Sequence, residues 1–448
     1  MPSVLQFPTK RLQPAYSRLM FVLGENQNTI AAAFYYRYVV KCEIREFFPD
    51  DGLIGQENHE ITFKIAPNKE KKGVVDLSNV VKDYVTTDIQ SHLNNYSIHK
   101  TQNIVDNLRT VIRVKLYIGK ESTNSPLGAV TSDIANYAAY EYLIFNGCQQ
   151  DKDGLEFNLD KYLLTTGVST GENNFLTCFD HTVERKVRLT DYGTVAFVNG
   201  ILGNYDGSTI ITNIGGIFVK FYDSSGTIIT GDGGASTTLD IENTANQAVN
   251  VQGDCIRFAG VAPKNLTDAG HTIPANTDYY EVYAYQENVA GNPANSQTYK
   301  YKIVGEDCKG HETIRLAFLN RVGAYDYYNF NKRSTRVTNI DSEMFTKNTG
   351  SWQKDTFSYE TYEHKNTTLN VQAVETIECN TEYITELEAE GLEELFTSPR
   401  VLMYDDETKW QPVNITEKSY TKQRNVSDKL IQYIVSVEKS VAKRIQTN

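Results

Sequence analysis

Seven histidines and six cysteines are the residues of this 448-residue chain best suited to acid–base, nucleophilic or metal chemistry. The histidines are His59, His92, His99, His181, His271, His311 and His364, and none belongs to an HExxH run, a paired-His face or a GxSxG setting. Each therefore reads as a surface or satisfied structural residue. Cys178 and His181 stand close in sequence, but thiolate activation depends on spatial, partly exposed geometry, so a nucleophilic cysteine is the disfavoured reading. Gly231, Asp232, Gly233 and Gly234 imitate a phosphate loop without the Lys that it needs, and read as a surface turn. DKDGLEFNLD offers oxygens from Asp151, Asp153, Glu156 and Asp160, yet misses the spacing of a calcium loop; a solvated turn is favoured over a structural calcium. Glu386, Glu388, Glu390, Glu393 and Glu394 share one short segment. Glycoside chemistry needs two carboxyls facing each other across a cleft, so five acids along one element read as a solvated face. The sequence thus predicts no catalytic residue, cofactor or metal.

The elements around these residues are mostly strands. Aromatic residues make up 11% of the chain, with 29 tyrosines against 4 methionines, which favours β structure and contact surface. In TVIRVKLYI, Ile112, Val114, Leu116 and Ile118 alternate with Arg113, Lys115 and Tyr117, the pattern of a strand with one wet face. LMFVL, FYYRYVVKCEI and EITFKI extend that series, while GVVDLSNVVKDYV reads as a short helix capped by Asp76 or Ser78. Residues 128–182 read as an irregular connector. A second β block, residues 183–309, carries VAFV, YYEVYAY, YKYKIV and the hairpin FYDSSGTII with a Ser225–Gly226 turn, and a long polar loop over residues 231–251. In the last block Leu387, Leu392 and Leu395 mark an acidic helix ending near Ser398 and Pro399, followed by strands PRVLMY and KLIQYIVSVE. The expected architecture is mainly β and multidomain: an N-terminal β-sandwich (1–127), the connector, a second sandwich-like domain (183–309) and a C-terminal α+β assembly domain (310–448).

The net charge of −12 disfavours capture of nucleic acid. The six cysteines, Cys42, Cys148, Cys178, Cys255, Cys308 and Cys379, form no CxxC pair and read as free thiols. No apolar run is long enough to span a membrane, and the N-terminus carries no secretory h-region, so synthesis in a host cytoplasm without membrane insertion is expected.

The segment IRLAFLNRVGAYDYYNFNK joins an alternating strand, a Gly turn and an aromatic strand. This LxFLNxxGxxDYYxF arrangement resembles a segment of virion structural proteins of tailed bacteriophages. The order of elements in LxxLFTSPRVLMY, WQPVNITEKSY and NVSDKLIQYIVSVE continues the resemblance, as does the N-terminal GVVDLSNVVKDYV region; together these cover about half of the chain. The resemblance implies a non-enzymatic subunit of the tail, neck or baseplate, a ring- or sleeve-forming homo-oligomer that also contacts other virion proteins. Arg321, Tyr325, Tyr328, Phe330, Trp410 and Tyr433 are the expected interface residues. The alternative is a receptor- or carbohydrate-binding adhesin at a tail tip or cell surface, using Tyr279, Tyr280, Tyr283 and Tyr285 as stacking platforms.

Overall fold

The computed structural model describes residues 2–48, 55–85, 97–106, 110–133, 140–150, 153–154, 157–164, 172–203, 209–212, 214–231, 237–243, 255–286, 293–305, 310–353, 355–405, 409–417 and 431–447. They build a mainly β protein with a few short helices. The chain divides into two compact units: Met1–Gly305 with Asn320–Asp326, and Glu306–Leu319 with Tyr327–Asn448.

In the first unit, alternation along strands puts successive side chains on opposite sides, and the two sides of the same strand enter different cores. Strands Tyr35–Phe48, Gly55–Ile65, Val111–Thr123, Tyr140–Cys148 and Leu12–Tyr16 form one sheet, with Thr131–Asp133 beside Val111–Thr123. Its Tyr38, Val40, Cys42, Ile112, Val114 and Ile144 pack with Phe21, Leu23 and Val75 of a three-stranded sheet. From the opposite side, Leu12, Val111, Leu143 and Phe145 pack with Ala196, Val198, Ile256 and Phe258, which belong to strands Thr194–Val198 and Ile256–Gly260. The alternate residues of that second pair, Val195, Phe197 and Ala259, face a third core with Ile217, Val219, Phe221, Tyr280, Val282 and Tyr299. Four sheet layers thus enclose three cores, and both strands of the Thr194–Val198 and Ile256–Gly260 pair are buried along their whole length.

This layering revises the expected connector. YEYLIFNGC is the strand Tyr140–Cys148, paired antiparallel to Val111–Thr123 and parallel to Leu12–Tyr16, and Phe157, Leu159, Tyr162 and Leu176 enter a core with it. The loop expected over 231–251 contains the strand Leu239–Glu242, paired with Ile214–Tyr222; residues 232–236 and 244–251 lie outside the described residues. GVVDLSNVVKDYV divides into a strand, Lys72–Asp76, and short helical turns from Ser78 to Tyr84. Asp76 still serves the turn, its Oδ1 accepting the Ser78 amide at 3.0 Å and the Leu19 amide at 3.2 Å. The Ser225–Gly226 hairpin turn forms as expected: Asp223 Oδ1 accepts from the Ser225 and Thr227 amides, and Gly226 takes φ +79°, where a side chain would be strained.

The second unit is an eight-stranded sheet with one helix, Glu386–Thr397. Thr385 accepts from the Glu388 amide at 3.2 Å, and the helix ends at Thr397 because Ser398 precedes proline and is extended. Ala389, Leu392 and Leu395 are its buried face, whereas Leu387 is exposed, one position off that stripe. Strand order runs from Tyr325–Phe330 through Ile314–Leu319, Val401–Asp405, Lys409–Ile415, Ile434–Lys439 and Asn366–Asn380 to an outer strand, Thr335–Thr346.

Candidate functional site

The outer strand Thr335–Thr346 is exposed at all twelve of its residues. It pairs antiparallel with Asn366–Asn380 from Thr335↔Glu378 to Thr346↔Asn366, so the two strands make a long hairpin arm. At the inner end of the arm, Ile377 and Cys379 are buried and Asn366–Asn380 also pairs with Ile434–Lys439, while its middle, Asn370 to Ala373, pairs with Arg444–Thr447. Ionic contacts fix this end. Glu375 bonds Lys439 at 2.7 Å and Arg336 at 3.3 Å, and Arg336 also pairs with Glu312. The Lys439 contact, followed by Arg336, holds the Glu375 carboxyl below the usual glutamate range despite its partial burial.

Along the arm several large apolar side chains are exposed, although Ala373 is buried. Ile340 is 70% exposed and Met344 64%, and Val337, Phe345 and Leu369 join them. A register shift between Glu343 and Met344 leaves Leu369 as the extra residue of a bulge, yet keeps Ile340 and Met344 on one face by alternation.

The tip, residues 347–365, is folded by its own bonds. The Lys347 amide donates to Lys365 O at 2.9 Å, the Ser351 amide to Ser358 O at 2.9 Å, and the Gly350 amide to Glu363 at 2.6 Å. Trp352 donates Nε1–H to Thr349 O at 2.9 Å and meets Phe357 edge to face at 5.6 Å. These two rings are 69% and 63% exposed, and Tyr359 and Tyr362 are exposed beside them in sequence. An internally bonded loop presenting Trp, Phe and Tyr rings has already met much of the ordering cost of a contact. Chemically the arm offers an open strand edge, apolar side chains and fixed aromatic rings, with no group placed to move a proton.

The six residues expected at an interface lie elsewhere and are engaged within the chain. In the first unit, Arg321 pairs with Asp153 at 3.5 Å, and Tyr325 is buried against the His99 ring at 4.7 Å. In the second, Tyr328 donates its hydroxyl to Glu388 at 3.1 Å and meets Phe330, itself fully buried, at 4.9 Å. Burial first, and Glu388 second, push the Tyr328 phenol well above its ordinary value. Trp410 lies 5.0 Å from Tyr404, and Tyr433 is buried against Phe396 at 5.6 Å. Tyr325, Phe330 and Tyr433 are buried, and Tyr328 and Trp410 are half-buried. Contact surface on this unit must be sought where the fold leaves apolar groups uncovered.

Other candidates are likewise placed. His181 lies against Asp180 at 3.5 Å and edge-on to Tyr299, while Cys178 is half-buried and packs on a core. The Cys178 amide donates to Asp326, which also receives the Thr177 hydroxyl and Asn320 Nδ2. Thr177 in turn accepts from Arg185, whose guanidinium also donates to the Tyr301 hydroxyl and sits over Phe179, Tyr299 and Tyr301. His59 meets Tyr84 at 4.9 Å. His92, Cys308, Asp151, Glu156, Asp232, Gly233 and Gly234 lie outside the described residues. Asp160 is exposed on a single helical turn, and the five glutamates of Glu386–Thr397 are strung along one helix. Among the described residues, no group of three His, Cys, Asp or Glu side chains could hold a metal ion.

The tyrosines expected to stack on sugars meet rings of the neighbouring strands instead. Tyr222 and Tyr279 stack at 4.8 Å with planes 6° apart, and Lys300 covers Tyr279 at 4.2 Å. Phe218 stacks on Tyr285 at 4.0 Å, Lys220 lies over Tyr283 at 5.0 Å, and Tyr280 is buried against Tyr301. A sugar needs an open ring face, and Tyr279 has neighbours on both.

No family model matches this chain, and no curated protein does. Among solved structures it is similar to a mutant of Salmonella alpha-2-macroglobulin at 9% identity, covering all of this chain and 34% of that one, with a TM-score of 0.16. A similarity of that size carries no argument about fold or function. No helix among the described residues is long and apolar enough to cross a membrane.

Proposed function

We propose that the chain is a non-enzymatic assembly subunit, a tail, neck or baseplate component of a tailed-phage virion, held to its neighbours through the hairpin arm. The observation that carries the assembly reading is the arm: a twelve-residue edge strand with every residue exposed, ending in an internally bonded Trp–Phe tip. Soluble proteins blunt open edges with charge, proline or cover, and apolar side chains on a long uncovered edge mark a surface that pairs with another chain. The virion placement rests on the resemblance of the Ile314–Lys332 hairpin and the C-terminal strands. The ring-and-lysine ladder around Tyr279 weighs against the sugar-binding alternative.

The experiment replaces Ile340 and Met344 together by Lys. Both side chains are exposed, so stability should change by no more than about 0.5 kcal/mol per site, while the native oligomer dissociates in sedimentation velocity. An unchanged mass distribution would remove the arm from the assembly contact.

A further inference from the structure

We infer that residues 335–341 of the outer strand Thr335–Thr346 pair antiparallel with the same residues of a second copy of this chain, about a two-fold axis at Thr338. The inference rests on the assembly reading and names its partner. Among the described residues no strand pairs with the outer side of Thr335–Thr346, which ends the sheet, so its outward main-chain groups have no ladder of their own.

Charge along this edge selects the occupant. Lys332 and Arg333 stand just before the strand and Arg336 near its start, and its later part is acidic, with Asp341 and Glu343. A strand basic at one end and acidic at the other complements an antiparallel copy of itself and repels a parallel one. Lys332 and Arg336 already hold Glu382 at 2.9 Å and Glu375 at 3.3 Å. Arg333, Asp341 and Glu343, by contrast, have no ion-pair partner among the described residues.

Symmetry then restricts the register. A two-fold axis that sets an edge strand against its own copy stands normal to the sheet, so each face stays on its own side and opposed residue numbers must sum to an even value. With Thr338 opposite itself, Arg333 falls opposite Glu343 of the second copy, Thr335 opposite Asp341, and Val337 opposite Asn339. The aliphatic stem of Arg336 lies beside Ile340. Centring on Asn339 instead puts Val337 against Asp341, and centring on Ile340 puts Val337 against Glu343. Both place an apolar side chain against a carboxylate. The Thr338 register is the one of the three that sets two of the unpartnered charges, Arg333 and Glu343, opposite each other. Exposed pairs contribute little energy, so the charges set register while main-chain bonds and apolar contacts supply the affinity.

The test uses Thr338→Cys in a Cys148→Ser background, which removes the exposed native thiol. Directly opposed residues in an antiparallel pair lie within disulfide reach, so mild oxidation of the full-length protein should yield a covalent dimer. Ser342→Cys lies on the same face but about 25 Å from its counterpart in this register, and should give roughly a tenth as much dimer or less. Glu343→Arg should weaken association, and adding Arg333→Glu should restore it. Equal cross-linking at both positions, or no cross-linking from a protein of oligomeric native mass, would overturn the register and leave the assembly reading standing. A monomer that never cross-links would overturn both.

Discussion

Single residues show what kind of protein this is through how they are satisfied. Asn265, fully buried, accepts the Gly193 amide at 2.8 Å and donates to His99 O and Thr101 O at 2.9 and 2.8 Å, fastening three segments at one point. Gly260 lies in the same crowded spot, where a Cβ would meet Thr101 O at 2.1 Å. Asn265→Ala strands one amide and two carbonyls in the interior and should cost about 2–4 kcal/mol in urea denaturation; a loss under about 0.5 kcal/mol would show that water replaces the side chain. The thiols follow the same logic. Burial pushes Cys42 and Cys379 up to about 12, whereas Cys148 is exposed. A thiol reagent at neutral pH should therefore label Cys148 in the folded protein and reach Cys42 and Cys379 only on unfolding, as peptide mass mapping would reveal. Labelling of Cys42 at the rate of Cys148 would contradict the packing of the N-terminal core.

At the scale of elements, local chemistry was readable and long-range pairing was not. The spacing of Leu392 and Leu395 announced a helix, proline after Ser398 announced its end, and the Ile112–Ile118 alternation announced a strand, because each signal is contained in a few residues. Tyr140–Cys148 looked irregular because its partners, Leu12–Tyr16 and Val111–Thr123, are separate in sequence and flank both of its edges, while cores cover both of its faces. The arm was passed over for a different reason. Its strand TRVTNIDSEMFT mixes polar and apolar residues without a buried face, and expectation followed the richer aromatic text of Tyr325–Phe330, which turns out to be interior. A usable signal was present: two β-prone runs, each longer than ten residues, separated by a segment carrying Trp352, Phe357, Tyr359 and Tyr362. The arm also makes an acid-sensitivity prediction. Since Lys439 and Arg336 lower the folded-state pKa of Glu375, this contact stabilises the fold at pH above the ordinary glutamate value and is lost as pH falls through the lowered one. The stability difference between wild type and Glu375→Gln should be full near neutrality and vanish in acid. A difference that grows in acid would invert the assignment.

The whole molecule combines a first unit, whose four sheet layers are fastened by buried polar groups, with a second unit whose sheet ends in an uncovered arm. Burial of two sheets on both faces ties the layers of the first unit together. In the second unit the exposed Val337, Ile340, Met344, Phe345, Trp352 and Phe357 are apolar surface that contributes to stability only when another chain covers it. The proposed assembly role draws on the arm of the second unit. The most direct test is the native mass of the full-length chain across the micromolar range, with negative-stain images of the same sample. The account predicts a discrete oligomer, visible as closed particles, that falls apart when Ile340 and Met344 become lysine. A monomer at every concentration, with the arm intact, would contradict self-assembly through this surface.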